Sequence, residues 1–267
     1  MVKRIYPLAP PVLVIAHRGG SGSEDNPHEN SREVFERAAQ RGFHYIETDS
    51  HVTADGVPIL FHDETLMRTF DTEGYVEDFD YDALVAIAAA KNIELLTVGQ
   101  ALQEFPDLVF NIDAKTPGVV DPLIAAVTGA DAWDRVCFAS FSQRRLNRIR
   151  RHAPRAVTSL GVSGSAKLVL AAGLGVLWPQ MRRFASGDHT QSGVQAVQVP
   201  VVWNRIPVLT PAFIQNAHAR GLAVQAWTIN DPEQAVELAQ LGVDAIITDT
   251  PISVFDALAR AGVEVTK

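Results

Sequence analysis

VLVIAHRGG, at residues 12–20, is an apolar run rich in β-branched residues that stops at a histidine and passes into a polar loop. A continuous apolar run of this kind is typical of a parallel strand that is buried on both faces. The loop leads into ENSREVFERAAQRG at residues 29–42, where Asn30 and Glu33 form a helix-capping pair ahead of an apolar stripe. The stretch therefore predicts a strand, a loop and a helix, in that order.

The same unit recurs along the chain. Eight strands are predicted, and among the first four each except the second is promptly followed by a helical pattern. An α/β fold, a TIM (β/α)8 barrel formed by one domain over residues 1–267, is the architecture that this alternation favours. An open doubly wound sheet is the alternative, but no GxGxxG sequence follows the first strand to support it. The predicted strands cover residues 12–16, 43–49, 108–115, 135–141, 156–162, 194–200, 223–229 and 244–249.

The connection after the second strand is too long for a plain crossover. Residues 64–107 contain the acidic segment DTEGYVEDFDYDAL and the helix-like segment TVGQALQEFP, so they are predicted to form a small insertion. Connections of this length are usually functional or disordered. Because the insertion leaves from the carboxyl end of a strand, we expect it to lie over the face where barrel active sites form.

Composition limits the partners that the protein can have. The formal net charge is −8, which argues against binding to nucleic acid or to an anionic membrane surface. No stretch reaches the roughly 18 apolar residues of a membrane-spanning helix, so no stable membrane insertion is expected and a cytoplasmic location is predicted. The single cysteine, Cys137, lies in an apolar run and is predicted to be a buried, unreactive thiol.

Acidic residues end the second and third strands. Glu47 and Asp49 are two positions apart, so their side chains project to the same face of the strand. Asp113 ends the next strand, and Lys115 follows it on the same face. Carboxylates gathered at a barrel mouth repel one another unless a cation lies between them, and hard oxygen ligands suit Mg²⁺ or Ca²⁺. The sequence predicts a divalent metal site here, with solvated strand-end acids as the alternative.

Two histidines flank these acids. His17 and His62 each directly follow an apolar run, and each is followed by a charged residue, Arg18 or Asp63. Two imidazoles beside one carboxylate cluster are what proton transfer in both directions requires, because imidazole titrates near neutral pH. Arg18 offers a fork of donors suited to phosphate, or simply an ion pair with a nearby acid. Together these residues point to phosphoryl transfer at a phosphate ester.

Five motifs are spread from the first predicted strand to the last: HRGG at 17–20, HENS at 28–31, ETD at 47–49, VPILFHDETLMRT at 57–69 and VQAWTINDPEQAVELAQLGVDAIITDTP at 224–251. In this order and over nearly the whole chain, they resemble the motifs of the glycerophosphodiester phosphodiesterase family. The resemblance implies a TIM barrel with an insertion after the second strand, in agreement with the pattern of strands and helices. It also implies metal-dependent hydrolysis of a small-molecule glycerophosphodiester to glycerol 3-phosphate and an alcohol.

The resemblance assigns roles to individual residues. His17 and His62 would be the general acid and base, Glu47 and Asp49 would bind the metal, and Arg18 and Lys115 would contact the phosphate. The family usually has glutamate where this chain has Asp113, which shortens the third ligand by one methylene group. Further contacts to the substrate are expected from Glu29, Asn30 and Trp227, although Asn30 could serve only as a helix cap and Trp227 only as barrel core. Asp249 could orient a catalytic group or cap the next helix.

Three other functions are alternatives to this one. A related barrel phosphodiesterase acting on lysophospholipids would need an exposed apolar rim, whereas Phe70, Tyr75, Phe79 and Phe184 are interspersed with polar residues and favour soluble substrates. A metallo-amidohydrolase normally needs HxH on its first strand, and this chain has HRG. A non-catalytic binding homologue is the third alternative, with Asp113 as the possible sign of lost chemistry.

Overall fold

A computed structural model describes residues 4–8, 10–20, 28–173 and 193–267. Phe184, one of the aromatic residues considered for an apolar rim, lies outside these residues. The strands are β1 (Val12–His17), β2 (Tyr45–Val52), β3 (Pro58–Leu60), β4 (Val109–Ala114), β5 (Val136–Ala139), β6 (Val157–Leu160), β7 (Val194–Val199), β8 (Val202–Trp203), β9 (Ile206–Pro207), β10 (Ala223–Ala226), β11 (Ala245–Thr248) and β12 (Val265–Thr266).

The described helices follow the strands around the barrel. They are α1 (Arg32–Gln40), α2 (Met67–Phe70), α3 (Tyr81–Ala89), α4 (Val98–Glu104), α5 (Val120–Gly129), α6 (Gln143–His152), α7 (Val162–Gly173), α8 (Pro211–His218), α9 (Pro232–Leu241) and α10 (Pro251–Arg260), with a 3-10 turn at Val76–Asp78. In the part of the chain that the structure describes, no helix is both long enough and apolar enough to cross a bilayer.

Parallel strands close into a barrel. Within the described ranges the order is β1, β2, β4, β5, β6, β7, β10 and β11, and β11 then pairs with β1. The predicted (β/α)8 barrel is therefore confirmed. Because the strands are parallel and in register, His17 lies beside Glu47, and Asp49 lies beside Asp113. The carboxyl ends of the first three barrel strands thus bring these side chains to one end of the barrel.

Alternate residues of β1 belong to two different apolar clusters. Val14 and Ala16 pack with the surrounding helices in the large outer core. Leu13 and Ile15 belong to a second cluster inside the barrel, which also contains Cys137. Cys137 is fully buried, as predicted, and burial raises the pKa of its thiol to about 12.

The segment after β2 folds against the barrel with a small core of its own. β3 pairs antiparallel with β2. Side chains of β3 and of the residues after it form a separate buried cluster that includes Ile59, Leu66 and Phe70. α4 then returns to the outer layer and packs beside α5. His62 is held at the start of this segment, directly after β3, at the same end of the barrel as the strand-end acids.

The HRGG turn after β1 depends on its glycines. Arg18, Gly19 and Gly20 all have positive φ angles, of 51°, 88° and 84°. A Cβ atom on Gly19 would lie 2.5 Å from Cγ2 of Val34, and one on Gly20 would lie 2.8 Å from Cγ of Pro251. Glycine is required because two helices pack directly onto this turn in a backbone conformation that side chains disfavour.

Candidate active site

A cleft of about 480 Å³ opens at the carboxyl end of the barrel strands. Ten residues are expected from the sequence to act in catalysis, in substrate binding or as metal ligands, and eight of them line the cleft. The other two, Glu29 and Asn30, are not lining residues but bond to Arg18 and Asp49, which are. The lining residues from that set are His17, Arg18, Glu47, Asp49, His62, Asp113, Lys115 and Trp227.

His17 is held by a carboxylate from the last barrel strand. Its Nδ1 lies 2.5 Å from Oδ1 of Asp249, and its Nε2 lies 3.6 Å from Oε2 of Glu47. Asn230 donates a 2.7 Å hydrogen bond to the other oxygen of Asp249. Burial opposes protonation of His17, but the hydrogen bond to Asp249 and the charge of Glu47 outweigh it and raise the pKa of the imidazole. Of its two expected roles, Asp249 therefore has the geometry for orienting a histidine.

His62 has a similar partner. Its Nδ1 lies 2.6 Å from Oδ1 of Asp63, and Arg68 Nε donates to the other oxygen of Asp63 at 2.5 Å. Arg68 also donates to Glu29, which in turn accepts two hydrogen bonds of 3.1 Å from Arg18 Nη1. Burial opposes ionisation of Asp63, but Arg68 and His62 outweigh it and hold the pKa of this carboxyl below its usual range. Asp63 and Arg68 thus link the second histidine to Arg18.

Lys115 lies between two of the three acids. Its Nζ is 2.7 Å from Oδ1 of Asp49 and 2.8 Å from Oδ2 of Asp113. Although burial opposes charge on Asp49, Lys115 and Arg18 outweigh it and lower the pKa of Asp49. Among the described residues no lysine or arginine forms an ion pair with Glu47, whose Oε2 lies 3.6 Å from Nε2 of His17, and burial together with the charge of Asp49 raises the pKa of Glu47. The charge of Asp49 is therefore compensated by two nearby cations, whereas the charge of Glu47 is not.

Oxygens of the acidic group remain without hydrogen-bond partners. Oε2 of Glu47 and Oδ1 of Asp113 are both buried and accept no hydrogen bond, although Oε2 of Glu47 lies within ion-pair distance of His17. Burial without a hydrogen bond is costly unless a further positive group is present. In the described residues, no three His, Cys, Asp or Glu side chains are already arranged to hold a metal ion. The chemistry of the donors, three carboxylates, nevertheless suits Mg²⁺ or Ca²⁺.

Asn30 does not cap α1, so the predicted capping pair with Glu33 is wrong. The N-cap residue is Ser31, and Asn30 itself has a φ of 57°. Its amide donates a 3.1 Å hydrogen bond to Asp49 and accepts one of 2.7 Å from Thr48. The buried side chain of Asn30 thus points towards β2, where it orients Asp49, rather than towards the free N–H groups of the helix.

The other side of the cleft is apolar. Trp227, directly after β10, lines it and packs edge-on against Phe141, with ring centroids 5.7 Å apart. Trp203 and Ile206, from the β8–β9 hairpin, also line the cleft. The sequence analysis identified Trp227 but not the hairpin residues, because two-residue strands carry no detectable periodicity.

The chain is similar to known proteins over most of its length. The model of the "Glycerophosphoryl diester phosphodiesterase family" matches residues 17–253. The "Probable glycerophosphodiester phosphodiesterase 2" of Mycobacterium tuberculosis is 32% identical over 255 residues, which cover 94% of this chain and 92% of that protein. The "Glycerophosphodiester phosphodiesterase" of Caldanaerobacter subterraneus is 28% identical over 265 residues, which cover 94% of this chain and 99% of that protein.

Solved structures share the fold. The glycerophosphodiester phosphodiesterase of Thermotoga maritima superposes with a TM-score of 0.70 at 20% identity, covering 94% of this chain and 99% of that one. A phosphodiesterase of Oleispira antarctica, solved in complex with the product sn-glycerol-3-phosphate, gives a TM-score of 0.71 at 22% identity, covering 92% of this chain and 96% of that one. These likenesses extend over nearly the full length of both partners.

Proposed function

The chain belongs to the glycerophosphoryl diester phosphodiesterase family, and on that premise we propose that it hydrolyses glycerophosphodiesters to glycerol 3-phosphate and an alcohol. One observation carries the proposal: His17 and His62, each paired with an aspartate through Nδ1, line the same cleft as Arg18 and Lys115. The product complex of the Oleispira antarctica phosphodiesterase supports the choice of glycerol 3-phosphate as the product.

Arg18 and Lys115 are suited to bind the phosphate of the diester. Both are mostly buried cations that line the cleft. Arg18 is held in place by Glu29 and Asp49, and Lys115 by Asp49 and Asp113. Charge-assisted hydrogen bonds to phosphate oxygens are strong in such partly desolvated surroundings. Trp227 would pack against the glycerol moiety.

The two histidines would transfer the protons. Because an ionised carboxylate only accepts hydrogen bonds, Asp249 and Asp63 fix a proton on Nδ1 of His17 and His62 and leave Nε2 for exchange. One Nε2 removes the proton of the hydroxyl that attacks phosphorus, which belongs to water or to C2 of the glycerol, and the other protonates the alcohol oxygen as its bond to phosphorus breaks. Attack by the 2-hydroxyl gives a cyclic phosphate, which a water molecule then opens to glycerol 3-phosphate with the two histidines in reversed roles. Protons are thereby conserved over the step, and the phosphate keeps its charge next to Arg18 and Lys115.

Glu47, Asp49 and Asp113 would hold a divalent cation, Mg²⁺ or Ca²⁺. One buried oxygen of Glu47 and one of Asp113 accept no hydrogen bond, and this supports the assignment, because a cation would compensate their charge. When bound, the ion would act as a Lewis acid on a phosphate oxygen. Aspartate at position 113, where the family usually has glutamate, keeps the hard oxygen donor that such an ion requires.

The proposal is tested with glycerophosphocholine as substrate and release of glycerol 3-phosphate as the signal. We expect activity to disappear on chelation and to return when Mg²⁺, Ca²⁺ or Mn²⁺ is added back. His17→Ala and His62→Ala should each lower kcat by about 10²-fold or more, because general acid–base catalysis contributes about 10²–10⁴.

A matched control is available in His152, which forms the same kind of pair with an aspartate, Asp121, at 2.9 Å but lies outside the cleft. His152→Ala should keep wild-type activity. Near-wild-type turnover in either cleft variant would refute the two-histidine mechanism. Absence of hydrolysis of any glycerophosphodiester with each metal supplied would refute the proposed activity and favour a binding role.

A further inference from the structure

The cleft is divided into a charged half and an apolar half. All of its charged or titratable lining residues come from β1, β2 and β4 or the residues directly after β1, β3 and β4. The lining residues contributed from position 139 onward include no charged side chain within the described part of the chain. The charged half therefore suits a phosphate group, and the other half suits an apolar group that leaves water on binding.

Large apolar side chains are concentrated in the second half. Five of the eleven most exposed large apolar residues in the described chain line this one cleft. We call these five residues the apolar wall. They are Phe141 (50% exposed), Val162 (46%), Leu170 (65%), Trp203 (50%) and Ile206 (57%). Single exposed apolar residues are ordinary, but a group of them at one binding cleft marks an interaction site.

The β8–β9 hairpin presents two members of the wall side by side. Trp203 and Ile206 are directly paired across the hairpin. The two residues between them, Asn204 and Arg205, both have positive φ angles, of 47° and 69°, as a tight two-residue turn requires. These angles belong to a favoured type of hairpin turn, so the hairpin is a defined local structure that holds two exposed apolar side chains at the cleft.

We infer that the apolar wall is a subsite for a hydrocarbon chain, so that the preferred substrates are lysophospholipid-type diesters rather than fully water-soluble ones. The inference rests on the proposed function and extends it to the substrate class. The charge distribution supports it: a lysophospholipid carries a phosphodiester next to an acyl chain, and the cleft places cations next to an uncharged apolar surface. The aromatic residues of the insertion favour soluble substrates, and of these Phe70 is buried and the exposed Tyr75 lies outside the cleft. The apolar wall comes instead from the loop after β5, from α7 and from the β8–β9 hairpin.

The test uses 1-acyl lysophosphatidylcholines with acyl chains of increasing length, kept below their micelle-forming concentrations, with glycerophosphocholine as the reference without a chain. Hydrolysis of the bond between phosphate and choline releases choline from any member of the series, so one assay serves for all of them. We expect kcat/KM to rise by up to about fourfold for each methylene group that leaves water, and to level off once the wall is covered. A flat series in a protein that hydrolyses glycerophosphocholine overturns this inference alone; failure to release choline from any member refutes the proposed function.

Matched variants locate the effect. Ile206→Asn should flatten the dependence of kcat/KM on chain length, whereas Ile252→Asn, at a 38% exposed isoleucine outside the cleft, should keep the wild-type dependence. Melting temperatures are compared in parallel, and Val162→Thr serves as the second wall variant if Ile206→Asn does not fold. A lowered melting temperature with an unchanged chain-length dependence would mean that the wall packs against protein instead of substrate, which overturns the inference.

Discussion

Nδ1 of His17 lies 2.5 Å from Oδ1 of Asp249, although 232 positions separate the two residues. They meet because β1 and β11 are neighbours in the closed barrel, with Ala16 beside Thr248. Asn230 holds the second oxygen of Asp249, so the carboxylate has little freedom to rotate away from the imidazole. The pair fixes which ring nitrogen of His17 faces the cleft.

Replacing Asp249 by asparagine should therefore lower kcat more than it affects binding. The amide keeps the shape of the side chain but does not hold the same His17 tautomer, and we expect a loss of about 10²-fold or more in kcat with little change in KM. Steady-state kinetics on glycerophosphocholine measure both constants. Asp256→Asn, at an exposed position of α10, should behave as wild type. A kcat for Asp249→Asn within threefold of wild type would show that the pair does not position the histidine.

Arg68 is expected to act on the reaction through Asp63. It is half exposed and bonds Asp63 and Glu29, so Arg68→Met should leave both acids free to turn and loosen His62 and Arg18 together. We expect kcat to fall about tenfold while the free energy of unfolding changes by less than about 1 kcal/mol, as is usual for exposed ion pairs. Arg144→Met, at an exposed site on α6, is the control. Equal activity of the two variants would remove Arg68 from the positioning network.

The metal proposal makes a prediction that does not depend on activity. A ligand that binds only the native state stabilises it by about 2.7 kcal/mol at a concentration of 100 times its Kd. Mg²⁺ or Ca²⁺ should therefore raise the melting temperature of the wild-type protein, and Glu47→Gln should lose most of that rise. Glu33→Gln, on the exposed face of α1, should retain it. Thermal denaturation with and without metal gives the answer, and an identical rise in Glu47→Gln would exclude Glu47 as a ligand.

The glycine turn after β1 predicts a contrast between two substitutions. Gly19 and Gly56 have similar φ angles, of 88° and 85°, but a Cβ atom would collide with Val34 at Gly19 and would meet open space at Gly56. Gly56→Ala should cost only the backbone strain, about 1 kcal/mol, whereas Gly19→Ala should cost roughly 2–4 kcal/mol because it also overpacks the core. Denaturant unfolding measures both. Equal losses would show that the helix does not press on the turn.

The barrel and the charged half of the cleft could be predicted from the sequence for one reason. Residues such as Glu47, Asp113 and His17 end apolar runs, and the carboxyl ends of parallel strands must meet at one end of a barrel. Their position at one end of the barrel follows from the strand ends alone, without knowledge of their hydrogen-bond partners or of the distances between them. The match of the family model to residues 17–253 agrees with the resemblance seen in the motifs.

The remaining features depend on contacts that no local pattern encodes. Asn30 followed by Glu33 fits a capping box, and only the positive φ of Asn30 together with buried Thr48 and Asp49 turns its side chain inward. Arg68 lies in α2, a helix of four residues that is too short to give a periodic signal, and its two acid partners come from different loops. Trp203 lies in a strand of two residues, which is too short to give an alternating signal.

Closure of the barrel between β1 and β11 also sets the order in which the parts of the site become available during synthesis. A growing polypeptide holds both histidines, all three strand-end acids and both cations once residue 115 has been made, yet Asp249 is still more than a hundred codons away. Until β11 emerges from the ribosome and joins β1, His17 has no carboxylate on its Nδ1. The chain would thus become competent for hydrolysis only when the barrel is complete. Nascent or proteolysed chains without residues 245–249 would keep the strand-end acids and both cations but lack the carboxylate that orients His17.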